Sequence, residues 1–106
     1  MRHHLGVLRM RQLIADLDRL PDDHTIYAAD ASPTAVAVAA PEPEGGGPPP
    51  EAAGLAYFLE VALAKESIRV WSAWRKGASP TLDDKVAAVI HYAKTDSFLP
   101  VEEESR

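Results

Sequence analysis

Apolar residues fall at Met10, Leu13, Ile14, Leu17 and Leu20, the spacing of one helical face, so the chain from Met10 to Leu20 predicts an amphipathic helix stopped by Pro21 and the turn pair Asp22-Asp23. The pattern then shifts to the strand period. Thr25-Ile26-Tyr27-Ala28-Ala29 is rich in β-formers, Thr34-Ala35-Val36-Ala37-Val38-Ala39 alternates, and Ser32-Pro33 supplies turn chemistry between them. A third strand is predicted at Leu55–Val61, with Leu55, Tyr57, Leu59 and Val61 sharing one face and Phe58 on the other. Helical spacing returns from about Leu63 to Lys76, carrying Ala64, Ile68, Trp71 and Trp74, with Gly77 placed to stop it. Thr81 then caps a last helix: Asp84 sits three residues on, as a short capping-box acid, and Leu82, Val86, Val89, Ile90 and Ala93 form the buried stripe. This helix ends near Lys94 to Asp96, leaving Phe98 and Leu99 to fold back. The expected fold is α+β: an N-terminal helix, a small antiparallel sheet of two to three strands, and two C-terminal helices packed on it.

Composition places this in one unit. At 106 residues the chain suits a single core, assigned to residues 10–99. Residues 1–9 read as a loose extension and 100–106 as an acidic tail containing Glu102-Glu103-Glu104. Between Pro41 and Gly54 stand five prolines, four glycines and three glutamates, a composition that predicts a mobile loop without a core of its own.

Charge and residue counts narrow the function classes. There is no cysteine, which removes disulfides, thiolate catalysis and cysteine-ligated zinc and fits a reducing, cytoplasmic setting. The longest apolar run, Ala35–Ala40, is far too short to span a bilayer, and Arg9 and Arg11 interrupt the opening stretch before a secretory core forms. A net charge of −5 argues against a dedicated nucleic-acid binder. Lys65, Arg69 and Lys76 would line one side of the second helix, a stripe read first as a solvated face.

Candidate chemistry is sparse. His3 and His4 lie in the N-terminal extension, His24 follows two aspartates in a turn, and His91 points off the buried stripe; no zinc-protease spacing occurs, and no metal or cofactor is expected. Asp22-Asp23 and Asp83-Asp84 are explained by turn and cap chemistry, and no catalytic residue is assigned. Gly45-Gly46-Gly47 lacks the strand-to-helix context of a phosphate cradle. On the second helix Arg75 falls among Ala64, Ile68 and Trp71, where an arginine needs a partner; Glu60, Asp84 and Asp96 are the candidates for an ion pair. Trp71 and Trp74 make the apolar arc wider than one packed face requires, so packing on the sheet is the first reading and an interface the second.

The segments Leu17–Tyr27, Tyr57–Val61, Trp71, Pro80-Thr81 through Lys85, Ala88-Val89-Ile90, Tyr92-Ala93 and Asp96 resemble a family of small bacterial proteins of unknown function. The resemblance covers most of Met10–Leu99 and implies no activity. It implies that the Pro/Gly-rich loop, where the likeness stops, is peripheral.

The leading expectation is therefore a non-catalytic protein-binding module of immunity, antitoxin or regulatory type, engaging a protein partner or a second copy through Trp71, Trp74 and Arg75. The alternative is a small-ligand-binding or weakly enzymatic domain with Arg75, Glu60 and Tyr92 around a pocket between sheet and helices. Nucleic-acid binding through the lysine and arginine stripe ranks last.

Overall fold

A computed structural model describes residues 8–101. The extension before Leu8, with His3 and His4, and the glutamates of the tail lie outside the described residues. In chain order the elements are β1 (Leu8–Arg9), α1 (Met10–Ala15), β2 (His24–Ala28), β3 (Val36–Pro41), β4 (Ala56–Glu60), α2 (Val61–Ala73) and α3 (Leu82–Thr95), with single 3₁₀ turns at Leu17–Arg19 and Pro50–Ala52. The four strands form one antiparallel sheet in the order β1-β3-β2-β4. The architecture is α+β, with the short helix and the two C-terminal helices on one face of the sheet.

That face holds the main core: Met10, Leu13, Ile14 and Leu17 meet Ile26, Ala28, Ala37, Phe58 and Leu59 of the sheet, together with Val61 and Ala64 of α2 and Val86 and Val89 of α3. Burial of this apolar surface is the main driving force for the fold. The stripes of α1 and α3 read from the sequence point inward, and on α2 Ala64 and Ile68 do so while Trp71 and Trp74 do not join the core. Thr81 and Asp84 form the reciprocal capping box, with the Asp84 N–H donating to Thr81 Oγ1 (3.1 Å) and the Thr81 N–H to Asp84 Oδ2 (2.9 Å).

Four details depart from the sequence reading. The sheet has a fourth strand, because Leu8 and Arg9 pair with Ala37 and Val36; two residues are too few to show a period, and only the partner strand reveals them. The first helix stops at Ala15 and tightens into the 3₁₀ turn, which keeps Leu17 buried (2% exposed) where a continued α-helix would have carried on regularly to Leu20. In β4 the pairing slips between Ile26 and Tyr27, which oppose Leu59 and Tyr57 and leave Phe58 as the extra residue of a bulge. Phe58 and Leu59 therefore both enter the core while Tyr57 is half-exposed, so Tyr57 and Leu59 do not share a face.

The fourth departure is the Pro/Gly-rich segment. It carries a 3₁₀ turn that lies against β3, and Pro49 and Ala52 are buried. Thr25, Tyr27 and Ala40, on the face of the sheet opposite the helices, are buried as well. Left-handed backbone at Gly46, Gly47 and Gly54 lets the segment turn back, and proline stiffness lowers the entropy lost in ordering it. Composition alone hides this, because the segment adds a lid of small side chains and no periodic stripe.

Candidate functional site

The end of α2 is where the sequence-predicted residues gather. The helix closes at Trp74, and the chain turns through Lys76 (φ 61°) and Gly77 (φ 80°), with the Gly77 N–H donating to Ser72 O at 2.8 Å. Arg75 thus stands just beyond the last turn. Its guanidinium lies 4.5 Å from the centre of the Trp71 ring and donates to three carbonyls: Trp71 O (3.0 Å), Pro100 O (2.9 Å) and, at a longer 3.4 Å, Leu99 O. None of Glu60, Asp84 or Asp96 pairs with it among the described residues. The expected ion pair is replaced by a cation that caps the negative end of its own helix and ties down the segment after α3.

That segment brings in Phe98. Its ring meets Trp74 edge-on, with centroids 5.9 Å apart and planes at 80°, and leans on Tyr92 at 5.1 Å. The resulting corner contains Trp71, Trp74, Arg75, Tyr92 and Phe98. Trp74 remains 51% exposed and Trp71 is half-buried, so neither indole belongs to the core against the sheet. Phe98 belongs to the site yet was read only as folding back; its place beside Trp74 follows from the left-handed end of α3 at Asp96 (φ 62°).

Glu60 does not join them. It precedes α2, whose 13 residues separate it from Trp74 by about 20 Å at 1.5 Å per residue. Neither of the two large cavities is lined by Glu60, Arg75 or Tyr92. Glu60 lies instead on the face of Tyr57, whose phenol is pushed up from 10.0 by partial burial and by the Glu60 and Glu42 carboxylates. Tyr27, opposite Tyr57, is raised by burial first and by Glu42 next, and its buried hydroxyl lies within hydrogen-bond distance of no partner among the described residues.

The basic stripe also dissolves. Lys65 is a cross-link, donating to Leu20 O (2.8 Å) and Asp22 Oδ1 (2.7 Å), Arg69 pairs with Glu66, and Lys76 has left the helix. His24 opens β2 rather than sitting in a turn, with Nδ1 buried and without a partner among the described residues. His91 is half-buried and lines a groove of about 460 Å³ with Arg11, Ile90, Lys94 and Leu99, while Arg11 pairs with Asp83. No cluster of three metal-binding side chains occurs among the described residues, and no described helix is long and apolar enough to cross a membrane.

Fold and corner together define a small α+β domain with a helical layer on one side of a four-stranded antiparallel sheet and an aromatic and arginine cluster at one end of that layer. No protein-family model, curated protein or solved structure matches the chain.

Proposed function

We propose that this chain is a protein-binding module that engages its partner through the corner formed by Trp74, Phe98 and Arg75. The observation that carries this reading is Trp74, half-exposed yet held edge-on by Phe98 beside an arginine already fixed by carbonyls and by Trp71. Aromatic and arginine side chains dominate binding hot spots, and a ring held in place loses less freedom on association. Immunity, antitoxin and regulatory proteins work in this way, by surface complementarity without chemistry. A pocket of Arg75, Glu60 and Tyr92 has no support in the geometry, since helix length separates the first two.

The test is capture of partners by the tagged chain from the cell it comes from, alongside Trp74→Ala with its circular dichroism and melting unchanged, and sedimentation equilibrium of both proteins. A stoichiometric protein, or a self-association, that is lost in Trp74→Ala supports the reading. Identical behaviour of the two proteins in both measurements removes it.

A further inference from the structure

A second surface lies on the side of α3 turned away from α2. At about 100° per residue, Ala87, Ile90, His91 and Lys94 share one stripe of this helix, with Val89 and Tyr92 on the opposite side. The stripe lines a groove of about 460 Å³ together with Leu99 and with Arg11 and Pro33, which are joined by the Arg11 N–H donating to Pro33 O at 2.9 Å. Sites for small molecules occupy about 300–1,000 Å³.

Neither end of the described chain points into this groove. Leu8 pairs with Ala37 and Arg9 with Val36, so β1 enters the fold from the Val38 side of β3, the end remote from Pro33. At the other end the chain crosses to α2 after Leu99, where Arg75 holds Leu99 O and Pro100 O on the Tyr92 side of α3.

The walls are apolar at Pro33, Val86, Ala87, Ile90 and Leu99, and the charges between them are unequal. Arg11 and Asp83 pair with each other. Lys94 pairs with no carboxylate among the described residues, and half-buried His91 stands one turn before it. Lys94 also follows Asp83 by 11 residues, about 16 Å along the helix, so an anion beside it stands clear of that carboxylate. In a chain of net charge −5 this is a local surplus of positive charge beside apolar surface.

We infer that this groove binds a small carboxylate with an unbranched apolar tail, its head group held by Lys94 and His91 and its tail laid along Ile90 and Ala87. The tail supplies affinity, and the two polar side chains fix its orientation. The site goes beyond the aromatic corner and does not depend on it.

The probe is decanoate, kept below its micelle concentration and titrated into the full chain with amide NMR spectra as the readout. Saturable shifts are expected at Ile90, His91, Lys94 and Leu99. Decanol, with the same tail and no charge, should bind about fivefold more weakly, and so should decanoate to Lys94→Gln with His91→Gln. Lys76→Asn, which removes a charge elsewhere at a left-handed position that asparagine tolerates, should bind decanoate as the parent does. Ala87 is exposed, so Ala87→Trp fills the groove without entering the core and should abolish the shifts. Absence of saturable shifts, shifts centred away from α3, equal binding of decanol, or unchanged binding by the double variant or by a folded Ala87→Trp would each overturn the inference. Overhauser contacts from residues 102–106 to Ile90 in the free protein would overturn it as well, because the chain itself would then fill the groove.

Discussion

Replacing Arg75 with alanine tests how the aromatic corner is held. The guanidinium makes two well-formed hydrogen bonds, to Trp71 O and Pro100 O, and stacks on Trp71. Charge-assisted bonds of this kind contribute about 1.5–3 kcal/mol when buried, but the site is partly open to water, and about 0.5–1 kcal/mol each is the appropriate scale. Stacking on the indole adds about 0.5–1 kcal/mol. The expected loss is therefore about 2 kcal/mol, which in a domain of this size lowers Tm by roughly 8–16 °C. Arg75→Lys keeps the charge and loses the fork, so it should recover less than half of the difference. Urea unfolding followed by circular dichroism gives the stability, and acrylamide quenching of the two tryptophans reports whether Phe98 has left Trp74. A loss below about 0.5 kcal/mol with unchanged quenching would refute the claim that Arg75 fastens the segment after α3.

Three further outcomes follow from the same geometry. Tyr27 and Tyr57 are both raised above 10.0 in the folded chain, so the fold holds their protons more tightly than the unfolded chain does; their contribution is complete below pH 10 and is lost as pH rises through the raised folded values. Tyr27→Phe should flatten the alkaline decline measured by urea midpoints above pH 10 without lowering stability at pH 7, because its hydroxyl has no hydrogen bond to lose among the described residues. Thr81→Ala removes the cap of α3 and should cost about 1 kcal/mol, with Thr81→Ser retaining most of it, by the same unfolding assay. Lys65→Met keeps the aliphatic stem but breaks the link to Leu20 O and Asp22, and should cost about 1 kcal/mol, with faster amide exchange at residues 20–23.

Where the sequence repeats a period, it was readable. The stripe of α3 and the Thr81 to Asp84 box depend on neighbours three or four residues apart and stand as read, whereas on α2 Ala64 and Ile68 pack on the core while Trp71 and Trp74 do not. What escaped were features fixed by distant partners. The bulge at Phe58 is decided by how β4 meets β2, and a strict alternation placed Tyr57 beside Leu59 wrongly. Arg75 was placed correctly beside Trp71, but its acceptors at Leu99 and Pro100 lie 24 and 25 residues away and belong to the backbone, which no side-chain pattern shows. The Pro/Gly-rich segment was expected to move freely; its buried Pro49 and Ala52 are small residues without an amphipathic signal. Of the five residues proposed from sequence, Trp71, Trp74, Arg75 and Tyr92 meet at one corner because the chain after α3 folds back over it, and Glu60 is left at the far end of α2.

The claim that the exposed face of Trp74 is the binding surface is tested most directly by placing a photoreactive p-benzoylphenylalanine at that position, and for comparison at half-exposed Tyr57, and irradiating the cells that produce the chain. Adducts to one dominant protein, or to a second copy of the chain, from position 74 and not from position 57 are the predicted result. No adduct from position 74, or the same adducts from both positions, would contradict it.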